Sequence, residues 1–422
     1  MRVLILGSGA REHAIALALT ADDEQHELIA APGNAGIARL AELVTIDPGD
    51  PGEVAEFALS QGVELVVVGP EAPLLAGVAD ALRERGVPVF GPGRAAAAIE
   101  GSKAFAKRVM AAAGVPTGKA VHVGTAAEAE AALESLGSPY VVKADGLAAG
   151  KGVLVTEDRE AARAHAAHWL EAGPILVEQH LAGREVSLFF VCDGDRVVPL
   201  APAQDAKRLG DGDTGPNTGG MGAYSPLPWL AQAFGTEAAF VDIVQRSVAE
   251  PVVRQLAVEG TPFVGLLYCG LIVHGTDVRV IEFNARFGDP ETQVVLPRLR
   301  SPFGALLAAA AGGALDRVPP PVFGDEAAVA VVLAGEGYPV SAPPERPLHG
   351  LDEAEQLAGV TVLHAATAER GSQVVATGGR VLSVVGTGAG LLTARERAYA
   401  GIDRIRLQGG QLRRDIAEGL GQ

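Results

Sequence analysis

The chain has 422 residues, with 34 Lys and Arg against 51 Asp and Glu, a formal net charge of −17. That balance excludes a broad nucleic-acid or anionic-membrane surface, so a phosphate site must be built locally from a few cations and backbone N–H groups. With 48% hydrophobic and 20% charged residues, the composition is that of a soluble chain long enough for about two to four domains.

Residues 1–100 alternate strand and helix. Strands are predicted at Val3–Leu6, Leu28–Ala31, Leu65–Val68 and Val87–Phe90, with helices at Glu12–Leu19, Val54–Ser60 and Ala76–Arg85. This pattern gives a parallel sheet with helices on both faces. The turns beginning at Gly7, Ala31 and Gly69 then share the rim at the strands' carboxyl ends. The first resembles G-x-G-x-x-G but carries Glu12 where the third Gly belongs, which argues against a dinucleotide. A phosphate monoester fits better, held by helix N-terminal N–H groups and Arg11 beside Gly9. The opening apolar run is too short for a signal peptide, and no apolar run approaches membrane-spanning length.

Ser102 is placed to cap a helix running to about Ala113. Lys103 stands in its first turn, where the macrodipole disfavours a cation and a phosphate would favour one. A second α/β stretch follows, with strands at Lys119–Val123, Tyr140–Lys143 and Val153–Thr156 and helices at Ala126–Leu136 and 158–170. Between the last two strands lies a glycine-rich loop, Ala144 to Gly152. It is not a P-loop, because the spacing is one short and a strand follows it. It reads as a flap whose amides cover a polyphosphate while Lys143 and Lys151 neutralise charge. After the strand Ile175–Glu178, the connector to Leu181 offers backbone groups to an adenine edge, and Glu185 suits ribose hydroxyls. Cys192 and Cys269, each in an apolar run, read as reduced core thiols of a cytoplasmic protein. Residues 204–224 are predicted as one long functional loop, followed by a helix over Ala238–Leu256.

The run Arg279–Gln293 begins as a strand and is broken by Gly288 and Pro290. Glu282 and Asn284 therefore share a face at the strand end, with Cα atoms roughly 6.6 Å apart. Two hard oxygen donors so placed suit Mg²⁺ or Mn²⁺, whose other positions go to phosphate. Arg286, Asp289 and Glu291 crowd the same terminus. From Ala327 onward, strands near 328–333, 360–364, 373–376 and 380–386 and a helix 391–405 form a small α+β domain.

Five motifs together resemble the glycinamide ribonucleotide synthetase (phosphoribosylamine–glycine ligase) family of the ATP-grasp superfamily. They are Gly-Pro-Glu-Ala-Pro-Leu at 69–74, Glu-Gly-Ser-Lys at 100–103 and Lys-Ala-Asp-Gly-Leu-Ala-Ala-Gly-Lys-Gly at 143–152. The longest are Asp-Thr-Gly-Pro-Asn-Thr-Gly-Gly-Met-Gly-Ala-Tyr-Ser-Pro at 213–226 and Glu-Phe-Asn-Ala-Arg-Phe-Gly-Asp-Pro-Glu-Thr-Gln at 282–293. The likeness runs from Val3 to about Asp415. It departs from the family at Ala10, often Gly there, and at Ala206, often aromatic or His.

The resemblance implies an ATP-grasp fold of mixed α/β and α+β domains. These are a Rossmann-like substrate domain (1–101), an ATP-grasp domain (102–322, lid about 118–188) and a small C-terminal α+β domain (323–422). It implies ligation of glycine to 5-phosphoribosylamine with ATP and Mg²⁺ or Mn²⁺, in purine synthesis, by a monomer or a weak homodimer. Glu282 and Asn284 are the expected metal ligands. Lys103, Lys143, Gly146, Gly150, Lys151, Gly152, Glu178, Leu181 and Glu185 are expected to hold ATP. Arg286, Lys207 and Asp213 are the expected catalytic residues, Gly9, Arg11, Glu12, Asn34 and Glu71 the expected phosphoribosylamine residues, and Asp289 a further expected substrate-binding residue. The rival readings are another ATP-grasp ligase, a biotin-carboxylase-like enzyme, or a non-catalytic nucleotide sensor.

Overall fold

The computed structural model describes residues 1–146, 152–341 and 344–420. The amino-terminal sheet has five parallel strands, in the order Glu42–Leu43, Glu27–Pro32, Arg2–Gly7, Leu65–Val68, Val89–Phe90. Alternate residues of the central strand enter two cores. Leu4 and Leu6 pack with Val54 and Leu82, whereas Val3 and Ile5 pack with Ile15 and Leu19 of the helix Ala10–Thr20. Period-two geometry therefore buries both faces and leaves the strand ends as the free rim. One predicted helix is corrected: 76–85 is broken into Glu71–Ala76 and Val78–Glu84 by Gly77, whose φ of 94° is left-handed.

The helix Lys103–Ala113 leads out of this domain, with Ser102 Oγ accepting the N–H of Phe105 at 3.1 Å. Next comes an antiparallel sheet in the order Ala120–Val123, Ile175–Gln179, Tyr140–Ala144, Val153–Thr156. It has its own small core, in which Val123, Val142 and Val177 meet Leu133 and Ala166 of the helices Ala126–Leu136 and Arg159–Leu170. A second antiparallel sheet, Val197–Pro199, Arg184–Asp193, Val264–His274, Asp277–Asn284, faces it across a cleft. The predicted helix 238–256 is interrupted by a π-turn at Gln245–Ala249, just before Pro251, which has no N–H to continue the ladder.

The long loop predicted over 204–224 is largely strand. It holds Gln204–Asp205, a hairpin of Arg208–Gly210 with Thr214–Asn217, and Gly222–Ser225. Gly222–Ser225 pairs with Ala327–Ala334, so the carboxy-terminal sheet runs Gln204–Asp205, Gly222–Ser225, Ala327–Ala334, Arg380–Gly388, Val360–His364. The sheet thus crosses the boundary expected at 322/323. Gly222-Ala-Tyr-Ser has no β-branched residue to signal a strand, and its partner lies about a hundred residues away. The helix Leu391–Ile402 covers this sheet. Among the described residues no helix is long and apolar enough to cross a membrane.

Candidate active site

The cleft between the two antiparallel sheets has a volume of about 720 Å³ and is lined by residues from all the central motifs. Glu282 and Asn284 both line it, as the shared strand face predicts. A bulge in the pairing with Gly270 and Leu271 precedes them and re-aims the strand end. Lys207 Nζ stands 3.8 Å from Glu282 Oε1. Packing raises the Glu282 carboxyl, but Lys207, then Lys143 and Lys103, outweigh it and hold the group below its ordinary value. The side chain keeps 35% exposure toward the cleft, so an ionised oxygen is available to a ligand. A carboxylate and a neighbouring amide oxygen fit a hard divalent cation that takes its remaining ligands from phosphate and water. Among the described residues no three His, Cys, Asp or Glu side chains form a self-sufficient metal cage.

Opposite this pair stand three lysines. Lys143, 4% exposed, lies with Nζ 3.1 Å from Glu178 Oε2, and Lys107 Nζ lies 3.2 Å from the same oxygen. Lys103 Nζ donates to the carbonyl of Gly146 at 3.0 Å. Burial pushes Lys103 and Lys107 below the usual lysine range, while Glu282 and Glu178 respectively oppose it. Asp145 organises this corner: its Oδ1 accepts the backbone N–H of Lys103 at 2.6 Å, and its Oδ2 accepts Ser102 Oγ–H at 3.1 Å. An acid thus caps the helix that carries Lys103 and Lys107. Neither Asp145 nor Lys107 was singled out from sequence; the i, i+4 spacing of Lys107 from Lys103 was the available signal.

Gly146 and Gly152 line the cleft, whereas Gly150 and Lys151 lie outside the described residues. Leu181 also lines it, as do apolar Met110, Val155 and Ile272, side chains that suit a flat heterocycle. Glu178 and Glu185, the expected adenosine residues, both line the cleft and both carry ion pairs. Glu178 holds two lysines, and Glu185 accepts from Lys207 Nζ at 2.8 Å.

Arg286 is clamped by two acids. Its Nη2 lies 2.9 Å from Glu100 Oε1 and its Nε 3.2 Å from Glu71 Oε2. Burial disfavours the Arg286 cation, and Glu100 and Glu71 reverse that and keep it charged. Burial also raises Glu100, with Arg286 opposing and Glu71 adding to the rise. Beside Lys207, Asp205 is pushed up to about 8 by burial, against Lys207 and with help from Glu291, Glu185 and Glu282. Asp205 Oδ1 has no hydrogen-bond partner among the described residues. Glu291 Oε1 accepts from Tyr268 at 2.9 Å and from Ser187 at 3.1 Å. Asp213 lines the rim, 75% exposed, with Oδ1 2.6 Å from Arg413 Nη1.

Of the expected substrate residues, Glu71 and Asp289 line the cleft; Gly9, Arg11, Glu12 and Asn34 are not part of its lining. Their polar groups are mutually engaged. Gly9 N–H and Arg11 Nε donate to Glu12 at 2.6 and 2.5 Å, so the acid occupies the anion position expected for a phosphate monoester in this turn. The side chain packs against Gly7 and Gly69, where a third glycine and a pyrophosphate would stand in a dinucleotide fold. Asn34 Nδ2 donates to the carbonyls of Ser8 and His364 at 2.8 and 2.7 Å, and its Oδ1 accepts from Gly36 and Ile37, which braces this rim against the carboxy-terminal domain.

Two antiparallel sheets closing on a lysine-lined cleft, behind a parallel-sheet domain, define an ATP-grasp protein. Residues 101–292 match the model of the phosphoribosylglycinamide synthetase ATP-grasp (A) domain, residues 1–100 its N domain and residues 328–419 its C domain. The chain is 62% identical over 423 residues to the phosphoribosylamine–glycine ligase of Leifsonia xyli subsp. xyli and 57% identical over 419 residues to that of Streptomyces coelicolor, covering 99% of each chain in both cases. The crystal structure of phosphoribosylamine–glycine ligase from Thermotoga maritima superposes with a TM-score of 0.83 at 33% identity, covering 99% of this chain and 100% of that one. The chain belongs to the phosphoribosylglycinamide synthetase (phosphoribosylamine–glycine ligase) family. A biotin carboxylase from Campylobacter jejuni, at 13% identity, a TM-score of 0.70 and coverage of 97% and 92%, shares the fold alone.

Proposed function

We propose that the protein is an ATP-dependent ligase that joins glycine to 5-phosphoribosylamine through glycyl phosphate and releases glycinamide ribonucleotide, ADP and phosphate. The observation that carries this reading is one cleft in which the oxygen donors Glu282 and Asn284 meet Lys103 and Lys143. A carboxylate is a poor acyl donor and needs a leaving group before an amine attacks it. Phosphoryl transfer supplies one through alignment and charge neutralisation, with no protein nucleophile. A glycine carboxylate oxygen attacks the γ-phosphorus and ADP departs. The amine nitrogen then adds to the carbonyl carbon, loses a proton and expels phosphate.

Mg²⁺ or Mn²⁺ held by Glu282 and Asn284 would neutralise and orient the transferred phosphoryl group. Lys103 and Lys143 hold phosphate oxygens, with Glu178 fixing Lys143 from behind. Gly146 and Gly152, which line the cleft, bound the space from which water must be kept away from the acyl phosphate. Leu181 marks the adenine end, and Glu185 sets Lys207 between itself and Glu282. Arg286, Lys207 and Asp213 orient glycine and the phosphoryl group. Glu71 and Asp289 face phosphoribosylamine, and Gly9, Arg11, Glu12 and Asn34 shape the rim behind them.

A phosphate-release assay with ATP and Mg²⁺ tests the reading, which requires turnover to depend on both glycine and phosphoribosylamine. Release that depends on bicarbonate would assign the chain to carboxylase chemistry. ATP binding without turnover on any amine would make it a sensor.

A further inference from the structure

Arg380 begins the strand Arg380–Gly388 of the carboxy-terminal domain and lies outside all five motifs. Its guanidinium sits behind the cleft wall. Nη1 donates to the carbonyls of Gly219 and Asp289 at 2.6 and 2.8 Å, and Nη2 lies 3.1 Å from Asp289 Oδ2. Gly219 and Asp289 both line the cleft, and they come from the two longest motifs. The hydroxyl of Tyr338, from the same domain, accepts the N–H of Gly219 at 2.9 Å. The fit is close, since a Cβ on Gly219 would stand 3.2 Å from both Arg380 Cζ and the Tyr338 hydroxyl.

From this clamp the path to the chemistry is short. Thr218 donates its N–H and its Oγ1–H to the carbonyl of Lys207, each at 2.8 Å, and the N–H of Gly220 donates to Thr218 Oγ1 at 3.0 Å. Lys207 in turn reaches Glu185 and Glu282. Asp289 feels the same guanidinium: burial raises its carboxyl, and Arg380, ahead of Arg11, holds it below the ordinary range.

We propose that Arg380 is a positioning residue for glycine activation, its forked donors locking the 218–220 turn to Asp289 so that Lys207 is held at its working distance from Glu282. The inference rests on the ligase reading above and assigns the carboxy-terminal domain a part in it. A lysine at 380 keeps the charge but offers no planar fork to two carbonyls and a carboxylate. The nucleotide end of the cleft holds Lys143, on the other sheet, and Leu181, and among the described residues no hydrogen bond of Arg380 reaches it.

The test uses the full chain with Arg380→Gln and Arg380→Lys. Arg370→Gln, which removes an exposed pair with Glu345 in the same domain, is the control. In Arg380→Gln, kcat/KM for glycine is expected to fall by roughly tenfold to a hundredfold while affinity for a non-hydrolysable ATP analogue stays within about twofold. Arg380→Lys should recover part of the loss, and Arg370→Gln should match the wild type. Hydrogen exchange over 206–220 should quicken in Arg380→Gln, with the sheet 120–179 unchanged. Unaltered exchange with unaltered glycine kinetics overturns the inference, as does an equal loss of glycine and nucleotide affinity. A wild type without glycine-dependent turnover would overturn the ligase reading instead, and the exchange measurement would still decide whether Arg380 holds the segment.

Discussion

Arg286 and Glu100 form an ion pair, with Nη2 2.9 Å from Glu100 Oε1, while Glu100 Oε2 accepts the N–H of the preceding residue, Ala285, at 2.7 Å. One carboxylate therefore fixes both the side chain and the backbone of the segment that follows Glu282 and Asn284. Glu71 holds the guanidinium from a second direction. A lysine cannot span two carboxylates in this geometry. Arg286→Lys is expected to lower kcat about a hundredfold in steady-state assays while KM for ATP stays within about threefold.

Glu282→Gln keeps the side-chain volume and removes the charge that Lys207, Lys143 and Lys103 hold ionised. Phosphate release titrated with Mg²⁺ and with Mn²⁺ should show a fall of roughly a hundredfold or more in turnover, and a higher metal concentration at half-maximal rate. Normal turnover at ordinary metal concentration would remove Glu282 from the metal site.

Glu178 is nearly buried and has two cations at 3.1 and 3.2 Å. Lys143→Met leaves it Lys107, so urea unfolding should change little while nucleotide affinity drops about tenfold. The double variant Lys107→Met/Lys143→Met strands a buried carboxylate. Its stability loss should reach about 3–5 kcal/mol and exceed the sum of the two single changes.

His13 and His364 meet where the amino- and carboxy-terminal domains pack, with the N–H of His364 donating to His13 Nδ1 at 2.9 Å. Burial lowers both from 6.5, to about 3 for His13 with His364 and Arg39 adding to the fall, and to about 4 for His364 with Arg39 adding. The unfolded chain thus binds more protons across that window. The stability from keeping both rings neutral is full above about pH 6.5 and is lost as pH falls toward about 4 for His364 and about 3 for His13. Tm measured between these limits should fall with acidification, and His13→Gln/His364→Gln should flatten the slope.

The local parts of the site were legible and the long-range parts were not. Glu282 and Asn284 followed from strand period, Lys103 from a helix start and Lys143 from a strand beside a glycine-rich turn. Each of those signals spans a few residues. Asp145, Glu100 and Arg380 act on groups 42, 185 and 161 residues away, and no local pattern marks such partners. The strand Gly222–Ser225 was missed because its neighbours in the sheet, not its own propensity, make it a strand. At Gly9 and Arg11 the helix-start geometry was read correctly, but Glu12 folds back onto the turn and takes the donors assigned to a ligand.

In the proposed reaction, glycine is activated as an acyl phosphate in the cleft between Glu282 and Lys143. Glycine labelled with ¹⁸O in its carboxylate tests it most directly, by mass analysis of the phosphate released during turnover with ATP and phosphoribosylamine. Transfer of one labelled oxygen to each phosphate is the expected result, because the bond broken by the amine lies between carbon and that oxygen. Phosphate free of label would mean that ATP is cleaved without ever bonding to glycine.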